Sequence, residues 1–337
     1  MADAPRPPST PDSPPVSAVG EPALDFPNCD PVRMTWRQLA RYDGRIEYWD
    51  AGLKTAWVLR DGAGFAHESP CNVLAELLSR LSQERGSRVR CYGHAFLMVR
   101  DVRGRPSKVM CADQTIYLDP RPFRSTTDAD AVVIGSDPLP DVVLEVDHTT
   151  DVRRTKLGIY EFWGFPEVWV ETPDVSSRSR PKDVRRGLTI YLLEQGRYEV
   201  AATSRAFPGW KASSIHRALN EEQMSLTTLK DLARLGRVLG RREGTGPDDD
   251  PQLGGHRRWA HRQGREAGLQ EGRQKGLAEQ RTLLVAMAER KFDTATAQQF
   301  AKRLQEVDQP ERLAEAAGWI IDCDEGAELL SRLAAAA

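Results

Sequence analysis

The stretch that most constrains the fold of this chain runs from Pro140 to Glu171, PDVVLEVDHTTDVRRTKLGIYEFWGFPEVWVE. Strand side chains alternate, so Val142, Leu144 and Val146 fall on one face, while Asp141, Val143, Glu145 and Asp147 fall on the other. Three carboxylates thereby share one side of one strand. After the polar break His148-Thr149-Thr150, Thr150 or Asp151 can cap a helix in which Leu157, Tyr160 and Trp163 recur at helical spacing. Gly164 ends that helix and Pro166 prevents its continuation. Phe165 to Glu171 turns apolar again, rich in β-branched and aromatic residues, and reads as a second strand. The unit is strand–helix–strand, with Lys156 in the first turns of the helix.

At 337 residues the chain can build one sizeable core with an appendage, or two domains. A formal net charge of −2 gives no global attraction to nucleic acid or anionic membrane, so such binding needs a local patch. Cys29, Cys71, Cys91, Cys111 and Cys323 are an odd, scattered set without a C-x-x-C pair, which points away from a disulfide framework or zinc site and towards a reducing compartment. No apolar run approaches a membrane span, and the N-terminus is not patterned as a secretory signal. A cytoplasmic location is the expectation, with no membrane partner.

Residues 1–31 are Pro- and Ser-rich with little to bury and read as a disordered leader. Thr35 can cap a short helix over WRQLARY, and RIEYWDAGLKTAWVLRDG reads as a hairpin turning at Asp50-Ala51-Gly52, with Glu47 in its first strand. From Pro70 to Arg85, Val73, Leu74, Leu77, Leu78 and Leu81 mark one face of an amphipathic helix. His67, just upstream, is read either as a residue near a site or as an inconsequential loop histidine, the second being the commoner case. RVRCYGHAFLMVRD and SKVMCADQTIYL are two strand-like runs about the turn Asp101 to Pro106. Leu188–Leu193 and Tyr198–Ala202 form a hairpin around Gln195-Gly196, and residues through 220 close the domain. A helical extension at 221–243 leads to a Gly- and Asp-rich linker at 244–255. Beyond it, 256–337 is helical, with Gly264, Gly268, Gly272 and Gly276 spaced by four. Each glycine costs about 1 kcal/mol of helix propensity relative to alanine. The regular set reads either as a close-approach seam, as in a homodimer or higher oligomer through this helix, or as a charged connector.

Asp113 interrupts an otherwise apolar strand, where a carboxylate must be solvated, paired or bound to a metal. Together with Glu145 from a separate strand, it could hold a hard divalent cation with waters completing the oxygen shell. A nearby lysine then offsets charge in the transition state, which is the equipment of phosphodiester hydrolysis. On spacing alone, acids at strand ends and lysines on helices are also common structural features.

The segments PDVVLEV, Lys156, Tyr160 and GFPEVWV together resemble the Uma-type restriction endonuclease family of the PD-(D/E)XK nuclease superfamily. RIEYWDAG resembles that family's early Glu-containing hairpin, and CADQTIYL its Pro-Asp-Val strand; the likeness covers roughly 32–220. The resemblance implies an α/β, restriction-endonuclease-like fold: a mixed central sheet flanked by helices, followed here by a C-terminal helical tail. It implies Asp113 and Glu145 as ligands of Mg2+, or of Mn2+, Lys156 as catalytic lysine, Glu47 as supporting acid, and DNA as partner. Asp141 is a further shared acid. Ala112 stands where the family has Pro, an inserted Ala51 precedes Gly52, and Asp147 occupies the place of the superfamily's lysine, so the positive charge must come from Lys156 reaching back. His148 is read as a turn residue ahead of a base or ligand. Arg153, Arg154, Arg178, Arg180, Lys182, Arg185 and Arg186 flank the central unit, as phosphate contacts or as ordinary solvated surface. The expected function is a metal-dependent DNA endonuclease; the alternative is a catalytically inactive nuclease fold serving binding or assembly.

Overall fold

A computed structural model describes residues 24–60, 64–125, 131–148, 151–175 and 185–336 in two units, 1–255 and 256–337. Thr150, Arg178, Arg180, Lys182 and most of the expected leader lie outside the described residues. In chain order the first unit holds β1 (Cys29–Arg33), α1 (Trp36–Leu39), β2 (Ile46–Asp50), β3 (Thr55–Leu59), α2 (Phe65–Arg85), β4 (Arg90–Arg100) and β5 (Pro106–Tyr117). It continues with β6 (Ala131–Val133), β7 (Val142–Val146), α3 (Lys156–Trp163), β8 (Glu167–Thr172), β9 (Gly187–Glu194), β10 (Arg197–Ala201), α4 (Ala212–Asn220) and α5 (Leu226–Glu243). The fold is the expected α/β class: a mixed sheet flanked by helices, with ten strands among the described residues, ordered β1-β3-β2-β5-β7-β8-β9-β10, with β4 beside β5 and β6 beside β4. β7–β8 and β4–β6 are parallel, and the other pairs are antiparallel.

One irregularity of this sheet builds the site. β4 pairs with β5 along nearly its whole length, so β5 has a single edge left for its other neighbours. That edge is shared end to end: Lys108 to Met110 pair with Asp50 to Tyr48 of β2, and Gln114 to Ile116 pair with Leu144 to Val142 of β7. Cys111 to Asp113 lie in the gap between the two partners. Continued by one step, the two registers bring Glu47 to one end of the gap and Glu145 to the other.

The alternation read from Val142 to Val146 is realised in the packing. Val142, Leu144 and Val146 join Trp169 against Leu74, Leu78 and Leu81 of α2 and buried residues of α4 and α5. Val143 joins Val168 and Val170 against Ile159, Tyr160 and Trp163 of α3 on the opposite side. Helices therefore cover both faces of the central strands, which makes β7 and β8 buried throughout.

The Gly-x-Pro-Glu-x-Trp segment has a structural explanation. Gly164 ends α3 at φ +82, a left-handed position that glycine occupies without a Cβ penalty. Glu167 is buried, and one of its oxygens accepts the Trp169 indole N–H at 2.6 Å. The other accepts the amides of Arg205 and Ala206, each at 3.0 Å. This carboxylate thus ties β8 to the loop bearing Phe207 and Trp210, whose rings pack on Trp169.

Several boundaries move. The chain is already packed at Phe26, which stacks on Tyr48 at 5.3 Å, and β1 opens at Cys29; composition placed the leader's end at 31 because two aromatic contacts suffice to anchor a polar segment. α2 starts at Phe65 rather than Pro70, since Pro70 inside the second turn forgoes only one backbone bond. Asp151 caps a single 3-10 turn at 152–154, and α3 itself begins at Lys156. The run expected as a linker is fastened to the domain at its start: Thr245 Oγ1 donates to the Arg85 carbonyl at 2.8 Å, and the Gly246 carbonyl lies where a Cβ on Gly86 would be. Arg85, buried at the end of α2, pairs with Glu243 of α5 and donates to the Leu118 carbonyl.

The second unit carries most of α6 (Gly254–Lys291), then α7 (Thr294–Leu304), α8 (Pro310–Asp322) and α9 (Gly326–Ala336). Its core gathers Leu284 and Ala288 of α6 with Phe300, Leu304, Leu313 and Leu329. Among the described residues, no atom lies within 4 Å of a Cβ placed at positions 264, 268, 272 and 276. Among the described residues no helix is long and apolar enough to cross a membrane.

Candidate active site

Strand geometry delivers three of the four expected residues to the gap, and the helix delivers the fourth. Lys156, the first residue of α3, turns its side chain inward. Its Nζ donates to Glu145 Oε2 at 2.6 Å and to the Cys111 carbonyl at 2.9 Å, and lies 2.8 Å from Glu47 Oε2. Two of the three ammonium hydrogens are thus placed by hydrogen bonds, one of them on a β5 carbonyl left open by the strand gap, with Glu47 ion-paired beside them. Tyr160, one helical turn further, donates its hydroxyl to Glu145 Oε1. Lys156 thus reaches Glu145 from the start of the helix.

Asp113 is buried at the other end of the gap. Its Oδ2 accepts the Val146 amide at 2.8 Å and lies 3.2 Å from His67 Nε2. Its Oδ1 is 4.0 Å from the Arg45 guanidinium, an ion pair beyond hydrogen-bond reach. Arg45 also pairs with Glu68 at 3.3 Å and meets His94 Nε2 at 3.2 Å. His94 falls opposite Asp113 in the β4–β5 register and has φ +52, uncommon outside glycine and less so for histidine.

Burial works to raise the Asp113 carboxyl, but the His67 hydrogen bond and charge, Lys156 and the Val146 amide outweigh it and hold Asp113 well below the usual carboxylate range. Burial also opposes the charge on Lys156, yet Glu145, Glu47 and Asp113 keep the ammonium well above its ordinary value. Glu145 is pushed up, by burial first, with Asp113 and Glu47 adding to it and Lys156 pulling the other way. Burial lifts the neighbouring thiols of Cys29 and Cys111 to about 12, which removes a thiolate nucleophile from consideration. All five cysteines are free.

Other expected residues are placed elsewhere. Asp141 accepts the Leu118 amide at 2.7 Å and serves the β5–β7 junction. Asp147 is buried beyond β7, 3.9 Å from Arg153, and its amide donates to the Glu171 carbonyl. The His148 amide closes a tight turn on the Val146 carbonyl. Arg153 and Arg154 are ion-paired with Asp151 and Asp25, whereas Arg185 and Arg186 are exposed. Sequence reasoning favoured an inconsequential His67 and gave no site role to Arg45, Glu68 or His94. The available signal was Gly64, a possible helix start that places His67 in the first turn of α2.

Among the described residues no three His, Cys, Asp or Glu side chains converge as a preformed metal cluster. Mg2+ is ordinarily held by one or two carboxylates with waters, so the donor chemistry of Asp113 and Glu145, facing each other across one strand pair, fits such an ion.

No family model matches the chain, and no curated protein does. Among solved structures, a "putative nuclease belonging to DUF820" from Anabaena variabilis is similar at 13% identity and a TM-score of 0.32, covering 60% of this chain and 99% of its own. At that level the likeness bears on neither fold nor chemistry.

Proposed function

We propose that this chain is an endonuclease that uses Mg2+ or Mn2+ to hydrolyse DNA phosphodiester bonds, with Asp113 and Glu145 as the ligands. The observation that carries the reading is the reach of Lys156 from α3 to both Glu145 and Glu47, at the strand gap where Asp113 also lies. When bound, such a cation supplies Lewis-acid polarisation of a phosphoryl oxygen and a more acidic water. Lys156 holds the two glutamates together and places positive charge beside the reacting phosphate, Tyr160 fixes the rotamer of Glu145, and Asp113 presents Oδ1. Assembly as a homodimer or higher oligomer through α6 belongs to the same proposal.

The reading is tested by plasmid cleavage with Mg2+ or Mn2+, comparing the wild type with Glu145→Ala and Lys156→Ala. Cleavage in the wild type and loss in both variants is the expected result; equal activity in all three sinks the assignment. A catalytically silent nuclease fold used for binding or assembly is the second reading. It is favoured by one observation, that both Glu145 oxygens are already engaged, by Lys156 and Tyr160. Mg2+-independent DNA retention without cleavage would establish it.

A further inference from the structure

Resting on the nuclease reading, we propose that His67 is the positioning residue of Asp113: from the first turn of α2 it clamps one carboxylate oxygen so that the other is presented to the cation. Asp113 sits where the ladder is interrupted on both sides of β5, between the ends of β2 and β7 and opposite the irregular His94. Its strand therefore does little to fix its side chain. Two groups compensate by converging on the same oxygen, the Val146 amide at 2.8 Å and His67 Nε2 at 3.2 Å.

With Asp113 as acceptor, Nε2 of the His67 ring carries a proton. Among the described residues Nδ1 is buried without a hydrogen-bond partner, 3.4 Å from Glu68 Oε1. The ring thus turns its Nε2–H to the carboxylate, and among the described residues no three-residue ligand cluster includes it. This is the arrangement of a residue acting through its neighbour, as partners that orient a ligating carboxylate do. Its place in a helix gives the clamp a rigid base, since α2 is anchored by Leu74, Leu77 and Leu78 in the core.

The test is Mn2+ binding to the full chain without nucleic acid, measured by calorimetry, with thermal unfolding as the folding control. His67→Ala and His67→Asn are expected to weaken Mn2+ binding about 10- to 100-fold, the usual cost of losing an orienting partner. His67→Gln carries an amide N–H near the place of Nε2 and is expected to restore most of the affinity. Glutamine failing to rescue, or alanine and asparagine binding Mn2+ as the wild type does while Asp113→Asn has lost it, overturns the clamp and leaves the nuclease reading standing. Wild-type Mn2+ affinity in Asp113→Asn itself removes both.

Discussion

Nζ of Lys156 lies 2.6 Å from Oε2 of Glu145, with both side chains almost wholly inside the protein. Glu47 is ion-paired with the same ammonium at 2.8 Å. Removing one member of a buried ion pair leaves an uncompensated charge, at a cost of about 3–5 kcal/mol, whereas replacing both members with neutral groups costs far less. Lys156→Ala is therefore expected to lower unfolding stability by that amount in urea titrations. Lys156→Met combined with Glu145→Gln should recover much of the loss. Neither variant should cleave DNA, so stability and activity separate in the double variant.

How much of this was legible in the sequence differs by kind of feature. The alternation of Val142, Leu144 and Val146 against Val143 and Glu145 was readable because side chains along one strand follow a fixed period. Leu157, Tyr160 and Trp163 were readable at helical spacing, with Lys156 in the first turns, for the same kind of reason. The strand gap was not, because it depends on which strands share an edge of β5, and no local pattern encodes an edge. His67 was read as a loop residue because Pro70 marks a common helix start, yet tertiary packing carried α2 a turn and more upstream of it. Arg45 and Glu68 meet only through that fold, across a separation of 23 residues.

Glu167 offers a test of the fold that leaves the site alone. Its carboxylate accepts three N–H groups, from Trp169, Arg205 and Ala206, in a buried setting. Hydrogen bonds to a charged group contribute about 1.5–3 kcal/mol each, and burying their donors unpaired adds cost. Glu167→Ala should lower the unfolding midpoint by several kcal/mol equivalents in denaturant and quench-shift the Trp169 fluorescence. Mn2+ affinity of the folded fraction should be unchanged, since Glu167 spends its hydrogen bonds on Trp169, Arg205 and Ala206, away from Asp113 and Glu145.

The His216 ring should make stability depend on pH. Its proton is held above the ordinary histidine range, chiefly by the Glu171 hydrogen bond at 2.8 Å, with Asp174 adding to it and partial burial opposing. Asn220 donates to the same Glu171 oxygen. A histidine that binds its proton more tightly when folded adds stability fully below its unfolded value, near 6.5, and loses that contribution as pH climbs through the raised folded value. The stability difference between the wild type and His216→Gln should be greatest below about pH 6 and shrink through neutrality. A difference that stays flat over this range would show that the ring does not titrate with folding.

The glycines of α5 and α6 should respond oppositely to alanine. A Cβ on Gly240 would stand 2.5 Å from the Arg85 carbonyl oxygen and 2.6 Å from that of Thr245, and one on Gly236 would stand 2.6 Å from the Glu84 Cβ. Backbone cannot swing aside as a side chain can, so Gly240→Ala should cost about 1–3 kcal/mol by overpacking. At Gly268 and Gly272 the added methyl meets nothing within 4 Å, and each alanine should instead add about 1 kcal/mol of helix stability. If α6 pairs with a second copy through this stripe, as proposed, the same methyls hold the two backbones apart. Sedimentation velocity on Gly268→Ala/Gly272→Ala should then show weaker association alongside increased helicity by circular dichroism; wild-type association with higher helicity would take the stripe out of the interface.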